Sequence, residues 1–428
     1  MKKQFIKSTL ILLIGGFITK LIAMITKIVM ARQLGTEGLG LYMLIIPTFS
    51  LLISLSQFGL PIAFAKLISE EKRNSKNLFF SLLPILIITN IILIVLTILL
   101  APNIASLLHN KNLTKSIIAM AFVIPFTSIS SICRSYFFGK NKMLPHVLSN
   151  IVENITHFIL IYFGVAYFIK YGLYIVIIYL ILSNIISEVI STIVLLLFIP
   201  KKIHISKQDL SFNKTYAKDG LKISIPNTTS RFIGSVSYFL EPIILTTILT
   251  KVGYSTLFIT KEYGTISGYV IPLLTLPSFF TLAISQALLP IVSKDSVTNN
   301  NLRIKKEITF AVIICLLIGI PVTIFLIIYP DKALYLIYHT TKGKEYLRFL
   351  APFFLLQYIQ YPLTTSLDAL GKSHNNLIST LIGTFTRTIL LFILSYLKIG
   401  IWGLIIGISL NILLVTIYQI YIITKKTI

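Results

Sequence analysis

Twelve stretches of about 20 or more predominantly apolar residues follow one another along a chain of 428, each long enough to cross a hydrocarbon layer as a helix. They lie near 8–32, 40–65, 78–101, 116–138, 146–169 and 172–199, and, after a polar Lys-rich stretch at 201–219, near 220–249, 264–292, 307–329, 347–369, 374–396 and 400–424. Inside lipid every backbone N–H and C=O must be satisfied within the spanning segment, so these stretches are read as helices and the fold class as all-α integral membrane, with about twelve spans. Only 12% of residues are charged and 55% are hydrophobic, whereas a soluble domain carries about 25% charged residues. The apolar residues run from end to end, which excludes a soluble domain with a single anchor. The N-terminus, MKKQFIKSTLILLIGG, starts like a signal peptide, but its apolar run continues without an Ala-x-Ala-like cleavage site. It is read as an uncleaved first span.

The formal net charge is +24, from 38 Lys and Arg against 14 Asp and Glu. A nucleic-acid binder gathers such charge on a polar domain, and this chain has none, so nucleic acid is excluded as a partner. The charge orients helices instead. With the N-terminus inside and alternating spans, inside segments hold 23 Lys and Arg and outside loops 10. That bias predicts a multi-pass protein of the cytoplasmic membrane with both termini cytoplasmic. Cys133 and Cys315 are far apart in apolar stretches, with no metal spacing and no disulfide framework.

The 201–219 stretch is read as a cytoplasmic linker between an N-terminal six-helix bundle, 1–200, and a C-terminal one, 220–428. The halves look related. Gly35-Thr36 precedes Leu60-Pro61 by 26 residues, Gly to Pro, and Gly264-Thr265 precedes Leu289-Pro290 by the same 26; Gly139-Lys140 and Gly371-Lys372 each follow a helix. The offsets are 229 and 232. Six helices per half make this a parallel repeat about an axis along the membrane normal, a plan common in transporters with the substrate site between the halves. Pro61 and Pro290 occupy matching positions, and a proline inside a helix permits a kink. They are the candidate hinges.

Charges inside spans are the candidate functional residues, since each costs about 2.5–3.5 kcal/mol at the membrane centre on insertion scales. Lys20 and Lys27 are seven apart on the first span, two turns along one face. Two cations on one stripe repel and call for an anion, and a phosphate suits them. Arg231 and Glu241 lie on the seventh span, Glu153 on the fifth, Glu188 on the sixth and Arg387 on the eleventh. Glu153, Glu188 and Arg387 read first as members of buried ion pairs; the three glutamates are also candidates for ion coupling or for lining a cavity. The sequence contains no P-loop, nucleotide-binding fold or metal cluster, which argues against an ATP-driven pump and against any cofactor. A membrane-embedded transferase would show carboxylates in sizeable loops, and these loops are short and poor in acids.

The stretch ITKLIAMITKIVMARQLGTEGLGLYMLIIPTFSLLISLSQFGLPIAFAKLISEE, with LKISIPNTTSRFIGSVSYFLEPI, YGTISGYVIPLLTLPSFFTLAISQALLPIVSK, LRFLAPFFLLQYIQYPLTTSLDALGKSHNNLIS and SICRSYFFGKNKMLPHVLSNIVENI, resembles the polysaccharide flippases akin to stage V sporulation protein B. These belong to the superfamily of multidrug, oligosaccharidyl-lipid and polysaccharide exporters. The resemblance covers nearly the whole chain. It implies two six-helix bundles around a central cavity that opens alternately to each side, and export of a polyprenyl-pyrophosphate-linked oligosaccharide, a precursor of cell wall, capsule or spore cortex. It implies as partners that lipid-linked oligosaccharide, membrane lipids and a coupling cation. Lys20 and Lys27 match basic positions of the family's first helix. The chain departs from the sporulation protein and the lipid II flippases in having room for twelve helices rather than fourteen, which weakens lipid II itself as the substrate. Two other readings compete. A cation-coupled drug antiporter of the same superfamily needs free carboxylates in its cavity. A non-transporting scaffold for cell-wall synthesis needs no ligand at all.

Overall fold

The computed structural model describes residues 2–70, 74–199, 206, 209–297 and 301–427. Lys72, Arg73, Lys201, Lys202 and Lys207 of the inside charge, and most of the first part of the linker, lie outside the described residues. The chain forms two compact units, Met1–Phe239 and Leu240–Ile428. The first holds α1 (Lys2–Gln57), α2 (Leu60–Ser69), α3 (Ser75–Leu107), α4 (Thr114–Gly139), α5 (Met143–Phe168), α6 (Leu173–Leu197) and the start of α7 (Lys214–Val252). The second holds the end of α7, then α8 (Thr256–Gly264), a π-helical turn (Thr265–Val270), α9 (Ile271–Leu274), α10 (Ser278–Val297), α11 (Asn301–Ile328), α12 (Pro330–Tyr338), α13 (Lys344–Ala369), α14 (Ser373–Tyr396) and α15 (Trp402–Thr427).

Nine helices among the described residues are long and apolar enough to cross a membrane, ten if the pair Thr256–Leu274 and Ser278–Ser296, bent by 52°, is one span. Two facts relate these to the twelve expected spans. α1 covers two of them, broken at Gly35, whose φ of 64° and ψ of −175° are not helical. α13, 26 residues long, covers the tenth.

α3 shows why these helices belong in lipid. Its buried face runs Leu78, Leu82, Leu86, Asn90, Thr97, Ala101, Ala105, while Ile88, Ile91, Ile92, Val95 and Leu99 point outward. The outer face is the more apolar one, the reverse of a soluble helix. Its interior is joined by small residues and hydrogen bonds, as expected where burial of apolar surface gains little over lipid. Asn90 Nδ2 donates to Ser56 O at 3.2 Å, and Ser128 Oγ donates to Asn90 Oδ1 at 3.0 Å, tying α1, α3 and α4 together. In the second unit Gln360 Nε2 donates to Ile412 O and Thr416 Oγ1, both at 2.8 Å, and Gln419 Nε2 to Thr364 Oγ1 at 2.9 Å, joining α13 to α15.

The internal repeat is visible in the backbone. After α4, Asn141 takes φ 54°, its N–H donating to Phe138 O and the N–H of Lys142 to Phe137 O. After α13, Gly371 takes φ 68°, its N–H donating to Asp368 O and the N–H of Lys372 to Leu367 O. Both are the same left-handed helix stop, which glycine and, less often, asparagine can adopt. The structural counterpart of Gly371 is therefore Asn141, at an offset of 230, rather than Gly139 at 232. The breaks at the two prolines are not copies. Phe58 and Gly59 are left-handed, and Pro61 then stands in the first turn of α2, where its missing N–H costs nothing. A Cβ on Gly59 would come 2.6 Å from Ser224 O of α7, so this turn needs glycine for its φ and for the close approach. In the second half the break falls at Thr275–Pro277, and Pro290 lies inside α10.

Ser206, Asp209, Ser211 and Asn213, which precede α7, are fastened to one another and to the start of α3. The N–H and the hydroxyl of Ser206 both donate to Asp209 Oδ2 at 2.9 Å, and Asn74 Nδ2 donates to Oδ1 at 2.7 Å. Asn77 Nδ2 donates to Ser211 O at 2.9 Å, and Ser81 Oγ accepts from the N–H of Asn213 at 3.0 Å. The two bonds from Ser206, aided by Asn74 and Lys76, hold the Asp209 carboxyl below the usual carboxylate range. A carboxylate lowered in the folded state contributes stability that is present above its ordinary pKa and lost as pH falls through the lowered one. Amide exchange at Ser206, Asp209 and Asn213, corrected for intrinsic rates, should therefore stay protected from pH 7 to about 5 and lose protection below about pH 4. In Asp209→Asn the same amides should be less protected at pH 7 and indifferent to pH.

Candidate functional site

A cavity of about 750 Å³ lies inside the first unit. The turn at Phe58–Gly59 starts α2 in the register that lays Pro61, Ile62, Ala65, Lys66 and Ser69 along one wall. α4 supplies Ser131, Arg134, Ser135, Phe138 and Gly139, spaced by three or four residues so that they share one face. Gly139 is where α4 meets α2: a Cβ there would sit 2.7 Å from Ala65 O. The left-handed stop adds Asn141, α5 adds His146 and Asn150 one turn apart, and α7 adds Arg231. The ionisable groups around the cavity are thus Lys66, Arg134, Arg231 and His146, and no carboxylate is among its described lining residues.

Behind that wall Arg134 joins three helices. Its Nη2 donates to Glu153 Oε2 of α5, to Glu188 Oε2 of α6 at 2.7 Å and to Ser191 Oγ at 3.0 Å. Ser191 Oγ in turn donates to Ser149 O at 3.2 Å. Arg134 Nε is buried and has no hydrogen-bond partner among the described residues. The second unit contains a simpler pair. Glu241, 5% exposed on α7, binds Arg387 Nη2 of α14 through Oε2 and accepts from the Tyr263 hydroxyl at 3.2 Å through Oε1. Taking a carboxylate into a bundle interior is tolerable only with a paired and hydrogen-bonded cation.

Of the residues the sequence singles out, Arg231 and Pro61 line the cavity. Glu153 and Glu188 stand behind it on Arg134, and Glu241 is paired with Arg387. Lys20 and Lys27 are exposed on α1 and do not line it, and Pro290 is exposed on α10. Sequence reasoning passes over Arg134, Lys66 and His146. Arg134 is counted there with the inside-loop charge, yet it lies within α4, more than a turn before its end. The signal that could have found it is the pair of glutamates on the two following spans, each needing a cation.

An all-helical membrane protein built in this way has the fold of a known class of transporter. A multidrug resistance MATE family transporter of the MOP superfamily, in its inward-facing conformation, superposes with a TM-score of 0.74 at 17% identity, covering 95% of each chain. The lipid II flippase MurJ, inward closed, does so with a TM-score of 0.74 at 17% identity, covering 97% of this chain and 88% of that one. The fold is that of two six-helix bundles. The family of polysaccharide biosynthesis proteins matches residues 5–296, and the MatE family matches residues 242–393. Stage V sporulation protein B of Bacillus subtilis (strain 168) is 33% identical, covering 99% of this chain and 84% of that protein. The chain belongs to the polysaccharide biosynthesis protein family and is a multi-pass membrane protein.

The buried pair offers a direct test of what holds the second unit together. Arg387→Ala strands Glu241 without a cation and should cost about 3 kcal/mol, read as a lowered Tm in detergent. Arg387→Leu with Glu241→Leu removes both charges and should recover most of that loss.

Proposed function

We propose that this protein moves a polyprenyl-pyrophosphate-linked oligosaccharide across the cytoplasmic membrane by alternating access. Residues 1–200 and 220–428 would be the two bundles and 201–219 their cytoplasmic linker. The observation that supports this most is the cavity itself, with Lys66 and Arg231 on its wall and no carboxylate among its described lining residues. Such a surface attracts an anionic group and repels a cationic drug. The likeness to stage V sporulation protein B and the fold shared with lipid II flippase MurJ point the same way. Arg231 and Lys66 meet the pyrophosphate in the cavity, and Lys20 and Lys27 on α1 attract it on its route. With both termini cytoplasmic, the Lys140–Lys142 turn and Lys66 lie on the inner side, where such a precursor is made. The membrane potential and a coupling cation supply the drive, one charge across 100 mV being worth about 2.3 kcal/mol.

The drug-antiporter reading needs free carboxylates. Glu153, Glu188 and Glu241 each bind an arginine, and no carboxylate is among the described residues lining the cavity, which counts against it.

Flipping of a fluorescent lipid-linked oligosaccharide in proteoliposomes, read with an impermeant quencher, tests the proposal. Wild type should expose the protected fluorophore. Arg231→Ala, and separately Lys20→Ala with Lys27→Ala, should slow it about tenfold or more, the effect of losing a charge-assisted contact of about 1.5 kcal/mol. Cation-dependent drug uptake without flipping would overturn it.

A further inference from the structure

We infer that Arg134 is a phosphate ligand of the cavity, held in reserve by Glu153 and Glu188, so that the carboxylate pair and an entering phosphate group compete for one guanidinium. The inference rests on the reading of the cavity as an anion site and goes beyond it by assigning the residue and what restrains it.

Three observations meet at this side chain. Arg134 is at once a wall residue of the cavity and the hub of the ion cluster on α5 and α6. Its hydrogen bonding is lopsided. Nη2 carries two N–H groups but faces three acceptors, Glu153, Glu188 and Ser191, while the Nε–H has no partner among the described residues. A guanidinium with five donors is built to bind oxyanions through two parallel bonds, and a buried donor left without a partner calls for a ligand. The charge count is the third observation. Two carboxylates on one guanidinium leave the cluster at −1 when both are ionised. In that state it opposes an anion in the cavity, and with both carboxylates neutral it presents +1.

Lys66 and Arg231 reach the cavity from α2 and α7, and neither has an acidic partner among the described residues to release. Arg134 differs from them in having something to exchange. A phosphate group that takes its guanidinium must displace a carboxylate, so the affinity of the cavity is set by how firmly Glu153 and Glu188 hold on. The shared chemistry is a phosphate group, whether free or carried on a lipid.

Titration of inorganic pyrophosphate into the purified full-length chain in detergent, followed by calorimetry, tests this. Glu153→Gln with Glu188→Gln should tighten binding about tenfold or more. Asp295→Asn, which removes the same kind of charge beside Arg303 in the second unit, should leave it unchanged. Because Arg134→Ala alone would strand two carboxylates and could unfold the chain, the decisive variant is Arg134→Gln with Glu153→Gln and Glu188→Gln, which leaves no unpaired charge. It should lose the tightening. No tightening in the double variant, or full tightening kept in the triple, overturns the inference. A second titration with farnesyl pyrophosphate separates the sources. A shift with both ligands supports a lipid-borne phosphate at Arg134, and a shift with inorganic pyrophosphate alone supports a free one. Pyrophosphate tightening without flipping of lipid-linked sugar would keep Arg134 and overturn the proposed substrate; flipping with flat affinities would do the reverse.

Discussion

A carboxylate inside a membrane bundle must be matched by a cation, and in this chain it is matched by arginine. Glu153 and Glu188 gather on Arg134, Glu241 on Arg387. The penalty for an unpaired charge out of water is several kcal/mol, so these contacts fix which faces of α4, α5 and α6 turn toward one another, and likewise α7 and α14. Once they are made, the lysines and arginines that remain at the cavity have no acid among its described lining residues. The cationic character of the site follows from where the few acids go as much as from the surplus of bases.

Much of this architecture can be read from the sequence, because membrane burial writes itself into long apolar runs. The order of spans and the repeat follow from local composition. The pairing of Glu153 and Glu188 into ion clusters is foreseen as well. Their partner is not, because Arg134 sits close enough to the end of the fourth apolar run to pass for loop charge. Nor can the sequence say that Lys66 and His146 meet Arg231, since they come from three helices whose rotation depends on packing contacts such as Gly139 on Ala65. The clasp of Asp209 on Asn74 and Ser206 depends on side-chain geometry in a polar segment, where periodicity carries no information.

The two halves share a helix stop but not a helix break. Asn141 and Gly371 end α4 and α13 with the same pair of backbone bonds. The interruption near the matching prolines lies at Phe58–Gly59 in one half and at Thr275–Pro277 in the other. Residues that terminate a helix are constrained by its own carbonyls and persist, whereas a break inside a span answers to what packs around it. The first-half break opens a wall for the cavity. The second-half break is accompanied by a π-helical turn just upstream, at Thr265–Val270, a feature found often at functional sites.

α7 runs unbroken from Lys214 to Val252, while the division between the compact units falls within it, after Phe239. The polar segment before it is clasped to α3, inside the first unit. One helix thus brings Arg231 to the cavity of the first unit and Glu241 to the ion pair of the second. A change in the sequence of α7 is therefore felt twice, once by each unit.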